Sequence, residues 1–402
     1  MTVHFKGREY CSSFISAIGY NEWMNSAASK LPFKYIDQPQ QLQDLVHDLL
    51  QQPAVGLDTE SNSLFAYQER VCLIQLSTSD QDYLVDTLAL SDLGCLASFF
   101  ASPTIQKIFH AAEYDLICLK RDYGFDILNV FDTMIAARTL GYQQVGLGAV
   151  VEGQLGVHLD KRYQRANWGQ RPLKPEMLEY ARLDSHYLIS LRDKFLSQLV
   201  EKGHLSIFNE DCERLSRTSQ PMANHKVDVW RVKGATDLKP RQVTTLQALL
   251  DLRENIARSE DRPPFKIMSD QALLEIAQTQ PHYPQELALL PSLSPGQVQR
   301  FGKGLLSVVN KSRRAPAIPR NHYSKPDARF LSRKDALSDW RKRVGIDRGV
   351  PSDVILPRDM LNLVAQQNPQ NLSELKAIMS DSPFRFEQYG EEMLQQLGGK
   401  EP

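Results

Sequence analysis

The 402-residue sequence lacks the features that would place it in a membrane, in an oxidising compartment or among ATP-driven motors. It contains no run of 18 or more apolar residues, so no transmembrane helix is expected, and its first residues show no secretory pattern. Its five cysteines form no CxxC pair, which argues against disulfides and a thiolate zinc site. No GxxxxGK(S/T) phosphate loop is present. We therefore expect a cytoplasmic protein without membrane association, in which any metal is bound by oxygen.

Charge is distributed unevenly, although the formal net charge is only −1. Between Lys311 and Arg348, lysine and arginine strongly outnumber aspartate. Clustered positive charge is an electrostatic cue for phosphate backbones, and a solvated basic linker is the alternative. Nucleic-acid contact is expected from the proline-marked part of this stretch, through Arg313, Arg314, Arg320 and Lys325.

The apolar pattern between residues 34 and 210 alternates between strand and helix periods, which predicts an α/β layer domain. β-rich segments predict strands at 54–60, 71–77, 82–86 and 105–110. Helical spacing predicts helices at 37–52, 89–102, 111–124 and 132–141, and one long helix from Pro175 to about Gly203. Residues 1–33 show no periodicity and are interpreted as an N-terminal arm.

The C-terminal half contains an internal repeat. Its two copies align without gaps at an offset of 88 positions, which pairs Pro263 with Pro351 and Gly302 with Gly390. A constant offset over such a span is typical of two copies of one structural unit. The repeat predicts two similar all-α helical domains, at 236–312 and 326–398.

Two acidic residues lie at the end of the first predicted strand. Asp58 and Glu60 are two positions apart, so their side chains share one face of the strand. Buried like charges repel unless a cation neutralises them, and hard divalent cations prefer oxygen ligands. The pair therefore suggests a metal site, although a strand that ends in a polar turn explains it equally well.

Two further segments strengthen the metal interpretation. In the first, FHAAEYD (109–115), a histidine and an acid open a helix that follows a strand, at His110 and Asp115. In the second, EYARLD (179–184), Tyr180 and Asp184 lie four apart, which places them on one helical face. Taken singly, each of these residues has an ordinary structural explanation.

In chain order, D-x-E at 58–60, H-x4-D at 110–115 and Y-x3-D at 180–184 resemble the three motifs of the DEDD exonucleases, in their tyrosine-containing DEDDy branch. The sister branch has histidine where this chain has Glu179. The segments AVGLDTES, VCLIQLS, IFHAAEYDL, FDTMIAARTLG, LGVHLDK, QRANWGQRPL and LEYARLDSHYL are similar to the ribonuclease D family, and the helical repeats resemble its HRDC domains. One departure is Ser61, where the family usually has an aromatic residue.

The resemblance implies a fold, an activity and a site. The fold is a ribonuclease H-like α/β exonuclease domain with a mixed sheet, at 34–210, followed by the two all-α helical domains. The activity is 3′→5′ exoribonuclease hydrolysis with two divalent metal ions, Mg²⁺ or Mn²⁺, on RNA with a free 3′ end, such as tRNA precursors. It implies that Asp58 holds both ions, Glu60 and Asp184 one, and Asp115 the other, while Tyr180 orients the attacking water.

Five further residues are candidates for holding the RNA. Arginine can form paired hydrogen bonds with phosphate, and tryptophan can stack on a base. The alternatives are a core position for Trp168 and a satisfied buried amide for Gln75. The candidates are Gln75, His110, Arg165, Trp168 and Arg171.

Two other functions remain open at this point. A DNA 3′→5′ exonuclease would carry the same three motifs, but the sequence shows no polymerase region and no phosphate loop. A catalytically inactive RNA-binding scaffold would not need the four carboxylates and the tyrosine that this chain has.

Overall fold

A six-stranded mixed sheet forms the first domain of the computed structural model, which describes residues 33–218, 227–319 and 327–398. Its strands are β1 (Phe33–Ile36), β2 (Ala54–Ser61), β3 (Val71–Ser77), β4 (Asp82–Asp86), β5 (Gln106–Phe109) and β6 (Val130–Asp132). Their spatial order is β1-β4-β3-β2-β5-β6. β3 pairs antiparallel with both β2 and β4, and the other neighbours pair in parallel. The mixed sheet of an α/β domain is thus confirmed, with β2 in its interior.

The helices of this domain cover both faces of the sheet. They are α1 (Pro39–Leu49), α2 (Ala97–Phe100), α3 (Glu113–Tyr123), α4 (Thr133–Thr139), α5 (Leu147–Leu155), α6 (Pro175–His186), α7 (Leu188–Glu201) and α8 (Leu205–Thr218). Successive residues of a strand point to opposite faces. Val55 and Leu57 of β2 belong to the core that includes Leu42 of α1. Ala54, on the other face, belongs to the core that includes Leu188 of α7.

The structure differs from the sequence expectation at several elements. The long helix predicted from Pro175 to Gly203 is two helices, because Tyr187 separates α6 from α7. The helix predicted at 89–102 is reduced to a short 3₁₀ turn and α2. The strands β1 and β6 were not predicted, since runs of four and three residues carry no readable period. Residue 210, the predicted end of the domain, lies within α8.

Two all-α domains follow, as the repeat predicts. The first contains α9 (Pro240–Ser259), α10 (Pro264–Ile267), α11 (Asp270–Thr279), α12 (Pro284–Ala288) and α13 (Pro295–Ser312). The second contains α14 (Ala328–Arg348), α15 (Ser352–Ile355), α16 (Arg358–Gln367), α17 (Leu372–Ile378) and α18 (Pro383–Gly398). Val229 and Val232 belong to the core of the first, so this domain begins before the predicted residue 236.

The repeat is visible in single hydrogen bonds as well as in the helix order. Arg253 and Arg341 occupy equivalent positions, and each donates to the backbone carbonyl fifteen residues further on, at Met268 and Leu356. Helices α11 and α16 end in equivalent left-handed residues, Gln280 with φ of 50° and Asn368 with φ of 47°. The two domains therefore share their internal bonding as well as their apolar pattern.

The first helical domain contacts the loop that follows β2. The Tyr67 hydroxyl donates to Glu254 over 2.6 Å, and the Tyr67 backbone N–H donates to Asp261 over 3.1 Å. The Lys266 ammonium lies 3.9 Å from the centroid of the Phe65 ring. This domain therefore rests on the chain that directly follows Asp58 and Glu60.

The second helical domain packs on α8 through a buried ion cluster. The Arg385 guanidinium is fully buried and donates to Glu210 over 2.5 Å and to Asp211 over 2.8 Å. At the rim of the interface, Arg214 pairs with Asp359 over 2.7 Å. The bonds from Arg385 and from the backbone N–H of Phe384 to Glu210 therefore join the second helical domain to α8.

The described start of the basic stretch packs against the first helical domain. Arg313 donates to the Gln280 carbonyl and contacts His282, and the Thr244 hydroxyl bonds to both Pro316 and Ile318. Arg320 and Lys325 lie outside the described residues, as does the predicted arm apart from Phe33. Among the described residues, no helix combines the length and the apolar character that a membrane crossing requires.

Candidate active site

Strand β2 positions the first two carboxylates. Asp58 and Glu60 alternate with Thr59, so they share the face of the sheet that α6 covers. The antiparallel register with β3 shifts between Glu60 and Ser61, where the regular pairing ends. Both acids therefore stand at the end of a rigid interior strand rather than on a free loop.

Helix α6 brings the third carboxylate to the same place. It approaches β2 closely at Gly56, where an added Cβ would lie 2.6 Å from the Ser185 carbonyl oxygen. The Ser185 hydroxyl is also bonded to that of Ser77 on β3 over 2.8 Å. This close packing brings carboxylate oxygens of Asp58, Glu60 and Asp184 within 4.8 Å of one another. We call these three residues the acid cluster.

Asp115 approaches the acid cluster from the first turn of α3. Its carboxylate accepts a hydrogen bond from the Thr59 hydroxyl, which lies between the two acids of β2. The turn before α3 is held by Asp132, whose carboxylate accepts from the backbone N–H groups of Ala111 and Ala112 over 3.1 and 2.7 Å. The same carboxylate caps α4. Asp132 therefore fixes the position from which Asp115 projects.

The pKa of each of the four acids is raised. Burial, followed by repulsion from Asp115, Asp184 and Glu60, raises the pKa of Asp58 well above its usual range. Burial and repulsion from Asp184 and Asp115 do the same for the pKa of Glu60. Burial raises the pKa of Asp115 to about 7, and that of Asp184 also to about 7. A set of crowded carboxylates that resists ionisation is a strong site for a multivalent cation.

Tyr180 stands beside the acid cluster on α6. Its hydroxyl is hydrogen-bonded to Asp184, one helical turn further on. Its ring packs near Trp168 and Tyr163, with centroid distances of 6.1 and 6.0 Å. Burial and the neighbouring carboxylates raise the Tyr180 pKa far above its usual value, so the phenol keeps its proton.

Three of the five candidate RNA contacts are engaged within the fold instead of facing a free surface. Trp168 is 1% exposed and packs in the core behind Tyr180. Arg171 is committed to the fold, because it pairs with buried Asp86 over 2.6 Å and donates to the Trp168 and Cys72 carbonyls. Gln75 is fully buried on β3. None of these side chains can reach RNA without disrupting its packing.

The other two candidates remain predictions. Arg165 is exposed, and the described part of the chain offers its guanidinium no hydrogen-bond or ion-pair partner. His110 is partly buried, with Nδ1 2.9 Å from the Thr133 hydroxyl. The His110 pKa is lowered overall, because the effect of burial outweighs the charge of Asp132 and a backbone hydrogen bond at Val145, which both raise it. The His110 ring is thus held against the start of α4 by Thr133.

Sequence reasoning missed the residues that hold the acids in place. Thr59 and Asp132 each have a recognisable signal, a hydroxyl between two acids and an aspartate between a strand and a helix. Ser61, the departure from the family pattern, donates to Glu69 over 2.8 Å, and Glu69 also accepts from the Tyr114 hydroxyl. This network forms the rim of the site beside Asp115.

The fold and the acid cluster define a nuclease domain, and comparison with known proteins gives its family. Residues 33–200 match the family model described as a 3′-5′ exonuclease, and residues 242–309 and 331–397 match the HRDC domain. The chain belongs to the 3′–5′ exonucleases of the ribonuclease D and RRP6 type, with two HRDC domains after the exonuclease domain.

Individual relatives agree with this family. The exosome complex component 10 homolog of Caenorhabditis elegans is 33% identical over 261 residues, which are 64% of this chain and 30% of that protein. Escherichia coli RNase D, described as an exoribonuclease involved in structured RNA processing, superposes with a TM-score of 0.68 at 25% identity, covering 92% of this chain and 100% of that one. The catalytic core of RRP6 from Trypanosoma brucei superposes with a TM-score of 0.62 at 29% identity, covering 70% and 80%. The chain spans about a third of the length of the curated relatives it matches.

Proposed function

We propose that this chain is a 3′→5′ exoribonuclease that shortens RNA from its 3′ end and releases 5′-mononucleotides. The acid cluster carries the proposal, because three carboxylates from β2 and α6 lie within 4.8 Å of one another on a 3′-5′ exonuclease fold. RNA is supported as the substrate by relatives described as exosome components and as an exoribonuclease.

The donor set fits divalent metal ions, and we assign two, Mg²⁺ or Mn²⁺. Every carboxylate has a raised pKa, so the metal-free site favours protons or cations over four free charges. Asp58, between the others, would hold both ions. Glu60 and Asp184 would complete one site, and Asp115 the other. When bound, such ions make water more acidic and stabilise the leaving oxygen.

The chain's own residues would orient the reactants. Thr59 fixes the Asp115 carboxylate by a hydrogen bond, and Tyr180 fixes that of Asp184. Because the Tyr180 phenol stays protonated, it can orient the attacking water or the scissile phosphate but cannot act as the base. The water must therefore lose its proton by another route, which is the role proposed for the metal site.

The expected substrate is RNA with a free 3′ end, and in particular tRNA precursors with extra 3′ residues. Support comes from the RNase D relative, whose description names structured RNA processing. The proposal includes a cytoplasmic location. It includes no protein partner, because membership of the exosome is stated for the relatives alone. A DNA exonuclease and an inactive RNA-binding scaffold are the competing functions, and the complete set of acids disfavours the scaffold.

One assay separates these functions. Matched ribo- and deoxyribo-oligonucleotides with labelled 5′ ends are incubated with Mg²⁺, Mn²⁺ or EDTA, and products are resolved by length and by nucleotide analysis. We expect stepwise shortening of the RNA, 5′-mononucleotide products and no reaction in EDTA. Preference for the deoxyribo-oligonucleotide would favour the DNA exonuclease, and binding without cleavage would favour the scaffold.

Two variants make the assay specific to the site. Asp58→Asn should abolish hydrolysis while RNA binding is largely retained, because the helical domains lie outside the acid cluster. Asp126→Asn is the matched control, since Asp126 is an exposed acid that pairs with Lys120 at the surface. Activity of Asp58→Asn above a tenth of wild type would contradict its assignment to both ions.

A further inference from the structure

Gln75 on β3 is a buried polar residue without a visible purpose in the metal-free fold. Its side chain is fully buried. Within the described residues, neither its amide nitrogen nor its amide oxygen has a hydrogen-bond partner. A buried amide that lacks partners costs free energy, whereas an apolar side chain of similar size at the same place would not. The fold therefore carries a cost at this position that its own packing does not offset.

The sheet register places Gln75 beside the acid cluster. Gln75 is the direct antiparallel partner of Asp58, so both side chains lie on the face that α6 covers. On its other side, Gln75 is paired with Leu84 of β4. Two residues further along β3, the Ser77 hydroxyl is satisfied by Ser185 of α6. Asp58 is thus the charged neighbour of the unpartnered amide.

The acids of the site differ in how they are held. Asp115 accepts from the side-chain hydroxyl of Thr59, and Asp184 is bonded to that of Tyr180. For Asp58, the hydrogen bond the structure gives is with the backbone of Thr59. Metal-binding carboxylates are normally oriented by a second hydrogen-bonding shell. Among the described residues, Asp58, the acid assigned to both ions, therefore has no side-chain donor, and neither has Glu60.

We infer that Gln75 is a positioning residue for Asp58, and that its amide N–H donates to the Asp58 carboxylate when divalent cations occupy the site. The inference rests on the metal binding proposed above. A cation held by Asp58 would fix the carboxylate oxygens of that residue, which is the cross-strand neighbour of Gln75. A buried donor beside that carboxylate would then be satisfied, and the cost of its burial would be recovered on metal binding.

The inference predicts opposite effects of one substitution in the absence and presence of metal. Gln75→Met replaces the amide by an apolar side chain of similar length. In EDTA, the full-length variant should unfold at the same temperature as wild type or a higher one, because no hydrogen bond is lost. In Mn²⁺, its affinity for the ion, measured by titration calorimetry, should fall about tenfold or more, as expected for a lost second-shell contact. The metal-induced rise in its unfolding temperature should fall with it.

Thr245→Val is the control, in the first helical domain and outside the acid cluster. Its buried hydroxyl is bonded to that of Ser312 over 2.8 Å, so this variant should unfold at a lower temperature with and without Mn²⁺ and should keep wild-type Mn²⁺ affinity. Gln75→Leu is a second apolar variant that should behave as Gln75→Met.

The outcomes separate this inference from the proposed function. If wild type does not bind Mn²⁺, the proposed metal site fails. If wild type binds and Gln75→Met binds equally well, only the role of Gln75 is overturned. If both apolar variants are less stable than wild type in EDTA, or neither folds, the amide has a partner within the metal-free core and the inference is also overturned.

Discussion

Replacing Asp184 by asparagine should stabilise the metal-free protein, because the acid cluster holds carboxylates that the fold disfavours in their ionised form. The Asp184 pKa is raised from 3.8 to about 7, chiefly by burial. Asparagine has the same shape and can still accept the hydrogen bond from Tyr180. The substitution therefore removes a charge without opening a cavity.

The sign and size of the effect follow from the shift in pKa. When the pKa of an acid is raised in the folded state, its ionisation costs the fold nothing below the unfolded-state pKa and progressively more as pH rises towards the folded-state pKa. Each unit of difference corresponds to about 1.4 kcal/mol, so the raised pKa of Asp184 lowers the free energy of unfolding by roughly 4 kcal/mol at pH 8 and roughly 2 kcal/mol at pH 5. Because solvent screens part of this cost, we expect a gain of about 2 to 4 kcal/mol for Asp184→Asn at pH 8.

Urea unfolding in EDTA at pH 5 and pH 8 measures this prediction. The control is Asp86→Asn, where burial raises the pKa but hydrogen bonds from Arg171 and Tyr35 outweigh it and lower the pKa. Lowering reverses the sign, so Asp86 stabilises the fold above its unfolded-state pKa and loses that contribution as pH falls. Asp86→Asn should therefore destabilise the protein at pH 8. An Asp184→Asn variant no more stable than wild type at pH 8 would refute the reasoning.

Metal should reduce the stability advantage of Asp184→Asn over wild type. A ligand at 100 times its dissociation constant stabilises the folded state by about 2.7 kcal/mol. Wild type gains this from Mg²⁺ or Mn²⁺, whereas Asp184→Asn has lost a ligand and gains less. The advantage of the variant in EDTA should therefore shrink or disappear in saturating metal. An unchanged advantage would mean that Asp184 does not contact the ion.

Three further predictions concern other parts of the chain. Tyr180→Phe should lower turnover by about 10²-fold or more while RNA affinity changes little, as single-turnover and binding assays will measure, because only a positioning hydroxyl is lost. Asp132→Asn should lower the free energy of unfolding by about 1 to 3 kcal/mol in urea, because an amide cannot accept from the backbone N–H groups on both of its sides. Arg385→Met should cost about 3 to 5 kcal/mol in the same assay by stranding buried Glu210, and the double variant Arg385→Met/Glu210→Met should recover most of that loss.

The sequence predicted best the elements whose apolar residues repeat over several turns or whose apolar run ends at a clear boundary. Helix α1 buries Leu42, Leu45 and Leu49 at helical spacing, and the boundaries of β3 agree with those read from its apolar run. The repeat was equally clear, because one constant offset carries many residue pairs. Such features depend on neighbours along the chain, which a sequence displays directly.

The break between α6 and α7 depends on contacts that a sequence does not display. Arg182 and His186 at the end of α6 both reach Asp82 on β4, over 2.7 and 2.8 Å. Leu188 and Leu191, just beyond Tyr187, pack into the core on the β5 side of the sheet. One continuous helix would not make both the contacts with Asp82 and the contacts with that core, so the helix is interrupted at Tyr187.

The burial of the candidate RNA contacts could not be read from the sequence for a related reason. Arginine and tryptophan in a loop suit RNA recognition and core packing equally, and composition alone cannot decide between them. For Arg171 the deciding partner is Asp86, which is 85 residues away in the chain. In the sequence, Asp86 was predicted only as the last residue of the strand at 82–86.

In the candidate site, the sequence likewise identifies residues but does not display the contacts that bring them together. The acids were predicted from the order of the motifs, but their separation depends on a close contact between Gly56 and Ser185, two residues that no acid motif includes. A side chain at Gly56 would push α6 away from β2 and carry Asp184 away from Asp58 and Glu60. The chemistry of this protein therefore depends on a glycine that contributes no functional group. Gly56→Ala should weaken Mn²⁺ binding in titration calorimetry although every carboxylate remains, and unchanged binding would show that α6 is positioned by other contacts.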